Sequence, residues 1–192
     1  MAYELRARAE SMAATRQRIT EATVDLHGSV GPARTTVAAI AEAAGVQRHT
    51  VYRHFPTDAE LFAACAEHYW ARHPWPDPAQ WTVIADPLER VRAALTAMYE
   101  FYGDIEPMLA NVLRDAAAMD VVDRNAQVYR EFIGELARSL AAAVAPKRSL
   151  ARAAVQHALE FPTWQSLVGQ DGISSPTAVR LMVAFVEVSS SI

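Results

Sequence analysis

Several residue types and sequence patterns are scarce or missing in this chain. Cys65 is the single cysteine, which excludes an internal disulfide and favours a reducing compartment. Lys147 is the single lysine, and arginine supplies the remaining basic charge. No apolar run approaches the ~20 residues that cross a membrane, and the N-terminal segment lacks the apolar core of a signal peptide. We therefore expect a cytoplasmic protein with no membrane partner.

The sequence signatures of common enzyme classes are also missing. There is no Gly-x-Ser-x-Gly elbow, no Walker or dinucleotide glycine loop, and no Glu-x-x-His pair. His68 and His73 are five residues apart and do not share a helical face, and His157 with Glu160 is more often a helix-surface contact than a metal site. We expect no catalytic activity, no cofactor and no metal. A helical small-molecule-binding protein, or an enzyme that does not bind DNA, is the alternative.

The residues that are present describe a globular helical protein. Of the 192 residues, 52% are hydrophobic and 21% are charged, and no strand pattern or internal repeat is found. The net charge of −4 is unevenly distributed. Residues 1–56 carry seven arginines against five acidic residues, whereas the remainder carries 11 basic and 17 acidic groups. A mildly basic head on an acidic body, both all-α, is predicted.

Residues 36–55 have the pattern of a helix-turn-helix. Apolar residues one helical turn apart form a single face of the first helix, and Gly45 follows where a helix needs a residue that tolerates positive φ. The apolar pattern restarts at Val46 and continues through Val51 and Phe55. The outward residues of the second helix are polar and suited to a major groove, although an ordinary helical hairpin with a solvated face has the same apolar spacing. These outward residues are Gln47, Arg48, His49, Thr50, Tyr52 and Arg53.

A wider set of residues resembles the DNA-binding domain of the TetR family of repressors. The matching residues are Gly31, Thr35, Thr36, Val37, Ile40, Ala41, Ala44, Gly45, Val46, Thr50, Val51, Tyr52, His54, Phe55, Thr57 and Leu61. The resemblance implies a DNA-binding transcriptional regulator. It implies that Arg48 and His49 read bases, that Thr50 meets a base or a methyl group, and that Thr36, Tyr52 and His54 hold phosphates. Thr35 is expected to cap the second helix, and its hydroxyl is a further candidate for a phosphate contact.

Three residues depart from the family pattern. Gln47 replaces a serine that would cap the recognition helix, and His49 replaces a small residue, so a bulky ring points toward the DNA. Asp58 replaces a lysine that usually grips a phosphate, which puts one backbone contact in doubt.

The remaining helices are predicted from caps and breakers. We expect a DNA-binding domain over 1–56, a connecting helix over 57–73 and a ligand-binding and dimerisation domain over 74–192. Within the first, residues 1–10 form an arm that either reaches a minor groove or is a solvated tail, and a helix spans 11–27. Further helices are expected at about 87–102, 105–118, 121–144, 149–168 and 177–188. Residues 74–86 are expected to be a proline-rich loop, with Trp75 and Trp81 most often anchors to the core.

The segments 99–119 and 158–167 resemble ligand-binding domains of one branch of the same family. The resemblance implies a small-molecule cavity, although each candidate taken singly is more often a core residue. The candidate ligand-binding residues are Met98, Phe101, Tyr102, Met108, Asn111, Val112, Arg114, Phe132, His157, Phe161 and Trp164.

Function follows as an expectation from these two parts. A homodimer would bind a near-palindromic duplex, and a mostly apolar effector of unknown identity would release it. The dimer contact is expected at about 149–168 and 175–188, where Val179, Met182, Val183 and Val186 form an apolar stripe. Packing of that stripe within its own subunit is the alternative.

Overall fold

The computed structural model describes residues 2–145 and 149–191 and is helical, with no strand in those residues. It consists of two compact units. The first unit comprises residues 1–74 and 106–127, and the second comprises 75–105 and 128–192. The helices are α1 (Ala2–Ser29), α2 (Val37–Ala43), α3 (Arg48–His54), α4 (Asp58–Arg72), α5 (Ala79–Thr82), α6 (Pro87–Ala116), α7 (Asp120–Val144), α8 (Ser149–Leu159), α9 (Phe161–Trp164) and α10 (Ser175–Ser191). None of these described helices is long and apolar enough to cross a membrane.

Helix α1 is longer than the sequence predicts. It begins at Ala2, so the expected arm is helical from that residue on and the helix does not start at Ser11 as its predicted bounds of 11–27 require. A helix is ~10–12 Å across and the minor groove only ~6 Å wide, so this segment does not enter a minor groove as an extended arm does. The helix also passes Gly28, and the chain turns at Gly31, whose φ is 93°.

Helix α6 runs without interruption through Gly103, where the sequence predicts a stop. Glycine inside a helix costs only about 1 kcal/mol relative to alanine, which tertiary packing can offset. Pro107 lies four residues later and has no N–H to donate to the Gly103 carbonyl. Because Gly103 is exposed to solvent, water can bind that carbonyl instead. Residues up to Ile105 belong to the second unit and the rest of α6 to the first. The sequence Asp86-x-x-Glu89 predicts an N-terminal cap for this helix. The cap is confirmed, since Asp86 Oδ1 accepts from the Glu89 amide at 2.9 Å.

The proline-rich stretch contains the single-turn helix α5, which the sequence analysis expected to be loop. Trp81 on α5 is 1% exposed and anchors this stretch within the second unit, as predicted. Trp75 is half-buried and its ring lies 4.7 Å from that of Phe132. Helix α7 begins and ends close to the predicted bounds. Proline ends helices, so the sequence predicts that Pro146 terminates α7, but this residue lies outside the described residues.

Pro162 predicts a kink in the expected helix over 149–168, but the helix is broken there instead. Glu160 is extended (φ −71°, ψ 138°), and α9 starts afresh at Phe161 with Pro162 in its first turn. Pro162 cannot donate to the Ala158 carbonyl, and the Tyr99 hydroxyl donates to it instead, at 2.9 Å. Tyr102 donates to the Leu159 carbonyl, and the Tyr129 hydroxyl accepts from the Phe161 amide at 2.9 Å. Three buried tyrosines therefore satisfy the backbone that the break leaves open.

Helix α10 packs on α8 within the second unit. The stripe formed by Val179, Met182, Val183 and Val186 is buried, with each residue at most 8% exposed. These four residues therefore pack within their own subunit, which was the alternative to a dimer contact. Leu181, Phe185 and Val188 on α10 are instead 48%, 42% and 61% exposed.

His27 gives the first unit a pH-dependent stability. It is 3% exposed, packs against Phe62 in a tilted arrangement at 4.8 Å between ring centroids, and lies with Nδ1 3.5 Å from Cys65 Sγ. Burial lowers the pKa of His27 from 6.5 to about 4, against a smaller opposing effect of Asp115. Above pH 6.5 the ring is neutral in both folded and unfolded chains. As the pH falls from 6.5 to about 4, the unfolded chain binds a proton that the folded chain does not, and stability is lost.

We expect this loss to be on the order of 3 kcal/mol, because one pKa unit corresponds to about 1.4 kcal/mol. Urea unfolding measured between pH 4 and 7 would show it as a fall in the free energy of unfolding. His27→Gln should flatten that part of the profile, whereas His49→Gln, at an exposed position, controls for loss of an imidazole. Equal profiles for wild type and His27→Gln would show that His27 is not responsible.

Candidate nucleic-acid interface

The start of α2 is fixed by two neighbouring threonines with different tasks. Thr36, and not Thr35 as predicted, is the N-cap: its side chain accepts from the Ala39 amide at 3.1 Å. The Thr35 hydroxyl donates to the Gly31 carbonyl at 2.9 Å. Thr36 is exposed and Thr35 half-buried. Thr36 is thus the better placed of the two for a ligand at the start of α2.

The turn between α2 and α3 confirms the predicted role of Gly45. Its φ is 64°, and its amide donates to Glu42 at 3.1 Å while the Val46 amide donates to Ala41 at 2.9 Å. This pair of bonds is the Schellman arrangement that ends a helix and turns the chain sharply.

A hydrophobic cluster holds α3 against the rest of the helix-turn-helix. Val51 and Phe55 are 1% and 2% exposed, which buries the inner side of α3. The other buried members come from α1, α2 and α4, with α1 packing on both α2 and α4. The buried residues of the cluster are Ile19, Ala22, Ile40, Ala41, Ala44, Val51, Phe55 and Leu61. Because one side is buried, the opposite side of α3 is fixed toward solvent.

The solvent side of α3 carries the predicted DNA contacts. Arg48, His49 and Arg53 are exposed, and Tyr52 is 55% exposed. Thr50 is half-buried. Gln47 precedes them as an exposed N-cap whose side chain makes no capping hydrogen bond within the described chain, as predicted. The structure thus groups these residues on one polar, net basic surface.

Arg16 anchors the end of α3, which the sequence analysis missed. Its Nη1 donates to the His54 carbonyl at 2.7 Å, and its guanidinium lies 4.0 Å from the centroid of the Phe55 ring. A cation that binds a C-terminal carbonyl also interacts favourably with the helix dipole. Arg16 and His54 are 38 residues apart, so no local pattern signals the contact.

His54 is less accessible than its proposed phosphate contact suggests. It is half-buried, and its Nε2 is buried with no hydrogen-bond partner among the described residues. Burial lowers the pKa of His54, and the nearby Arg53 and Arg16 lower it further. A phosphate at this position would thus meet a ring whose Nε2 is already buried.

Asp58, where the family has a lysine, lies in the first turn of α4. A carboxylate there is favourable for the helix dipole. Thr57, which stands where the sequence predicts the start of this helix, is its N-cap and accepts from the Glu60 amide at 3.2 Å. The departure thus favours the start of α4, while supplying no positive charge to DNA.

The candidate ligand residues are divided between the two units. Those in the first unit have partners there: Asn111 binds the end of α1 and Arg114 the loop after it. Val112 packs against the hydrophobic cluster that contains Phe62, and Met108 lies near Gly28. The members in the second unit are Met98, Phe101, Tyr102, Phe132, His157, Phe161 and Trp164. Among these, Tyr102, Phe161 and Trp164 pack together, with centroid separations of 5.4–5.9 Å, while His157 is exposed.

A sequence profile described as bacterial regulatory proteins, tetR family, matches residues 19–65. These residues include the whole helix-turn-helix. The chain therefore carries the DNA-binding domain of TetR family transcriptional regulators. Members of this family are DNA-binding proteins rather than enzymes, which agrees with the expected absence of catalysis. A comparison with curated proteins gave no match. Among the described residues, no group of three or more side chains could hold a metal.

Solved structures share the regulator's fold. A TetR-like transcriptional regulator from Rhodococcus sp. RHA1 is 23% identical, with a TM-score of 0.64 over 90% of this chain and 93% of its own. A metabolism regulator from Clostridium perfringens is 17% identical, with a TM-score of 0.64 over 90% and 97%. The multidrug binding protein EbrR, complexed with imidazole, is 22% identical, with a TM-score of 0.58 over 88% and 93%.

Replacement of Arg48 by Ala tests the predicted base contact of the regulator. Arg48 is exposed on α3, so its loss should leave the fold intact. We expect binding to weaken by about 1–3 kcal/mol and sequence preference to relax at one position of each half-site. Selection of duplexes from a random pool would measure the preference. Arg18→Ala, which removes the same charge from an exposed site on α1, should preserve it. An unchanged preference in Arg48→Ala would contradict the assignment.

Proposed function

We propose that this regulator is a repressor that binds a near-palindromic operator as a homodimer, with one α3 in each of two successive major grooves. The observation that supports this most directly is the two-sided character of α3. Val51 and Phe55 are buried, while Arg48, His49 and Tyr52 face solvent. A helix anchored on one side and offering hydrogen bonds on the other suits a major groove, which is ~12 Å wide.

Two copies are needed for useful specificity. One α3 contains seven residues, Arg48–His54, and reaches only a few base pairs. A two-fold pair would read half-sites one helical turn apart, ~34 Å along the duplex. The phosphate contacts, for which Thr36 and Tyr52 are the best exposed candidates, would fix the register of each subunit. Acting on chromosomal DNA, the protein would work in the cytoplasm.

We assign the dimer contact to the exposed side of α10. Leu181, Phe185 and Val188 follow one another at helical spacing and are each more than 40% exposed. Large apolar side chains grouped on a helix surface favour association with a partner. The ring of Phe185 lies 6.0 Å from that of His157 on α8, so the surface continues onto that helix. The homodimer thus keeps the predicted helices but not the predicted stripe.

Phe185→Asp should separate the dimer, because it places a charge on an apolar contact while leaving the buried stripe intact. Wild type is expected to sediment as a dimer and to select a near-palindrome from a random pool of duplexes. The variant is expected to sediment as a monomer and no longer to select near-palindromic duplexes. Val83→Asp makes the same change at an apolar residue that is 82% exposed elsewhere in the second unit, and should remain dimeric. A dimeric Phe185→Asp would refute this surface, and a wild type that selects no duplex would refute the proposed function.

We place the effector at the aromatic cluster of the second unit, around Tyr102, Phe161 and Trp164. Trp164 is 3% exposed, and its Nε1 is buried without a hydrogen-bond partner among the described residues. A buried indole N–H normally has a partner, so the cluster suits an apolar molecule that carries a hydrogen-bond acceptor. The similar protein EbrR is described as binding multiple drugs, which is in keeping with an apolar effector.

Release requires an effector that binds one conformation of the dimer better than the other. We propose that α4 transmits the change, because it joins the helix-turn-helix to the chain that enters the second unit. A small tilt of α4 would alter the separation of the two α3 helices. That separation must match one turn of DNA, so the tilt would lower operator affinity.

Trp164→Phe tests the proposed hydrogen bond from the Trp164 indole to an acceptor on the effector, since it keeps an aromatic ring but removes the N–H. Apolar compounds that bear a carbonyl would first be screened for release of the selected duplex. For a compound that releases wild type, we expect the variant to need roughly tenfold more compound, about 1.4 kcal/mol of lost affinity. Operator affinity without compound should stay unchanged. Trp70→Phe, on α4 in the first unit, is the matched control, and equal responses of all three proteins would place the effector elsewhere.

A further inference from the structure

The last turns of α6 hold the end of α1 and the loop that leads from it into the helix-turn-helix. Asn111 Nδ2 donates to the carbonyls of His27 at 2.9 Å and Gly28 at 2.8 Å. Arg114 Nη2 donates to the Val30 carbonyl at 3.3 Å, and Asp115 Oδ2 accepts from the Ala33 amide at 2.9 Å. We call Asn111, Arg114 and Asp115 the loop clamp.

The loop clamp is also bonded within itself. Arg114 Nη1 donates to Asn111 Oδ1 at 2.6 Å, and Arg114 Nε donates to Asp115 Oδ1 at 2.8 Å. Asn111 and Asp115 are 8% and 6% exposed, so each lost bond would leave a buried polar group unsatisfied. Burial by itself would raise the pKa of Asp115, but hydrogen bonds from Arg114 and the Ala33 amide lower it overall, which keeps the carboxylate charged. The cluster is therefore a directional set of hydrogen bonds in which two of the three side chains are buried.

Gly31 shows how closely the loop fits the clamp. Its φ of 93° disfavours any other residue, and an added Cβ would lie 2.7 Å from Asp115 Oδ2 and closer still to Arg114 Nη2. Arg34 Nε donates to Val30 at 2.7 Å, which ties the following turn to the same loop. Movement of the clamp would thus move the backbone of the loop.

The clamped loop is directly connected to the DNA-binding surface. The turn Pro32–Arg34 is followed at once by Thr35 and by Thr36, the exposed N-cap of α2. Helix α2 in turn packs on α3. The Ala33 amide, held by Asp115, lies only three residues before Thr36, so its position fixes where α2 begins.

We propose that the loop clamp is a positioning device for DNA binding: Asn111, Arg114 and Asp115 do not touch the operator but set the placement of Thr36 and α3 on it. This inference rests on the proposed phosphate and base contacts of those residues. It assigns Asn111 and Arg114 to the operator-binding state of the regulator rather than to an effector cavity. It also makes α6 a second element, beside α4, whose displacement would change operator affinity.

Asp115→Ala gives the clearest test, because the loss of a negative charge and the loss of the clamp should change DNA affinity in opposite directions. Loss of an acidic residue reduces repulsion of DNA, so charge alone would tighten binding. Loss of the clamp should instead weaken binding to the selected duplex by roughly tenfold. It should also flatten the dependence of log affinity on log salt, since misplaced phosphate contacts release fewer counterions. Asp104→Ala, an exposed carboxylate on the same helix, shows the effect of charge alone.

Two additional variants separate positioning from loss of fold. Asp115→Asn keeps an acceptor for the Ala33 amide and should recover part of the affinity and of the salt slope. The Arg114 side chain is 49% exposed, so Arg114→Gln should remain folded even if Asp115→Ala unfolds the protein. It is compared with Arg124→Gln, which removes the same charge from an exposed site on α7. Affinities are corrected for the folded fraction measured by circular dichroism, and exchange of the Ala33 amide should accelerate in the clamp variants.

The outcomes distinguish this inference from the proposed function. A wild type that selects no duplex overturns both. If wild type binds DNA, each clamp variant is compared with its control: Asp115→Ala with Asp104→Ala, and Arg114→Gln with Arg124→Gln. Equal affinity and equal salt slope in both pairs would overturn the clamp proposal but not the proposed function. Weaker binding with an unchanged salt slope, or no recovery in Asp115→Asn, also contradicts it, because a general loss of stability would produce that result.

Discussion

Helix ends impose the constraint on which this all-helical structure depends. Each end leaves backbone donors or acceptors without a partner inside the helix, and a buried end needs one from elsewhere. At the ends that shape the functional surfaces, side chains meet this need. Thr36 caps α2, Arg16 binds the last carbonyl of α3, and Asn111 binds the carbonyls at the end of α1. The placement of the DNA-binding helices follows from these bonds together with the hydrophobic cluster below α3.

The same constraint shapes the second unit around Pro162. Because proline cannot complete the helical ladder, the break at Glu160 opens backbone groups in a buried region. Tyr99, Tyr102 and Tyr129 satisfy them, and burial raises the pKa of each, so they stay protonated. The tyrosines are thereby committed to the backbone, while the neighbouring Trp164 keeps an unused donor. This difference within one aromatic cluster is the basis for placing an acceptor-bearing effector there.

Regulation in this protein would depend on hydrophobic packing and on hydrogen bonds, which differ in how strongly they change with distance. Hydrophobic packing around Val51 and Phe55 tolerates small shifts, whereas the hydrogen bonds of the loop clamp do not. Operator affinity would then depend most on the polar contacts near Gly31. Under the proposed mechanism, an effector would need to displace these contacts only slightly to change the spacing of the two α3 helices in the dimer.

The sequence by itself determined the all-helical fold, the helix-turn-helix and the exposed face of α3, because those features follow from periodicity and from caps a few residues away. Gly45, Thr57 and Asp86 act on partners within five residues. Tertiary structure decided the rest. Arg16 meets His54 across 38 residues, Tyr99 meets Ala158 across 59, and Asn111 meets His27 across 84. No local pattern encodes such pairs, so the continuity of α6 through Gly103, the burial of the α10 stripe and the loop clamp became apparent only once the chain was folded.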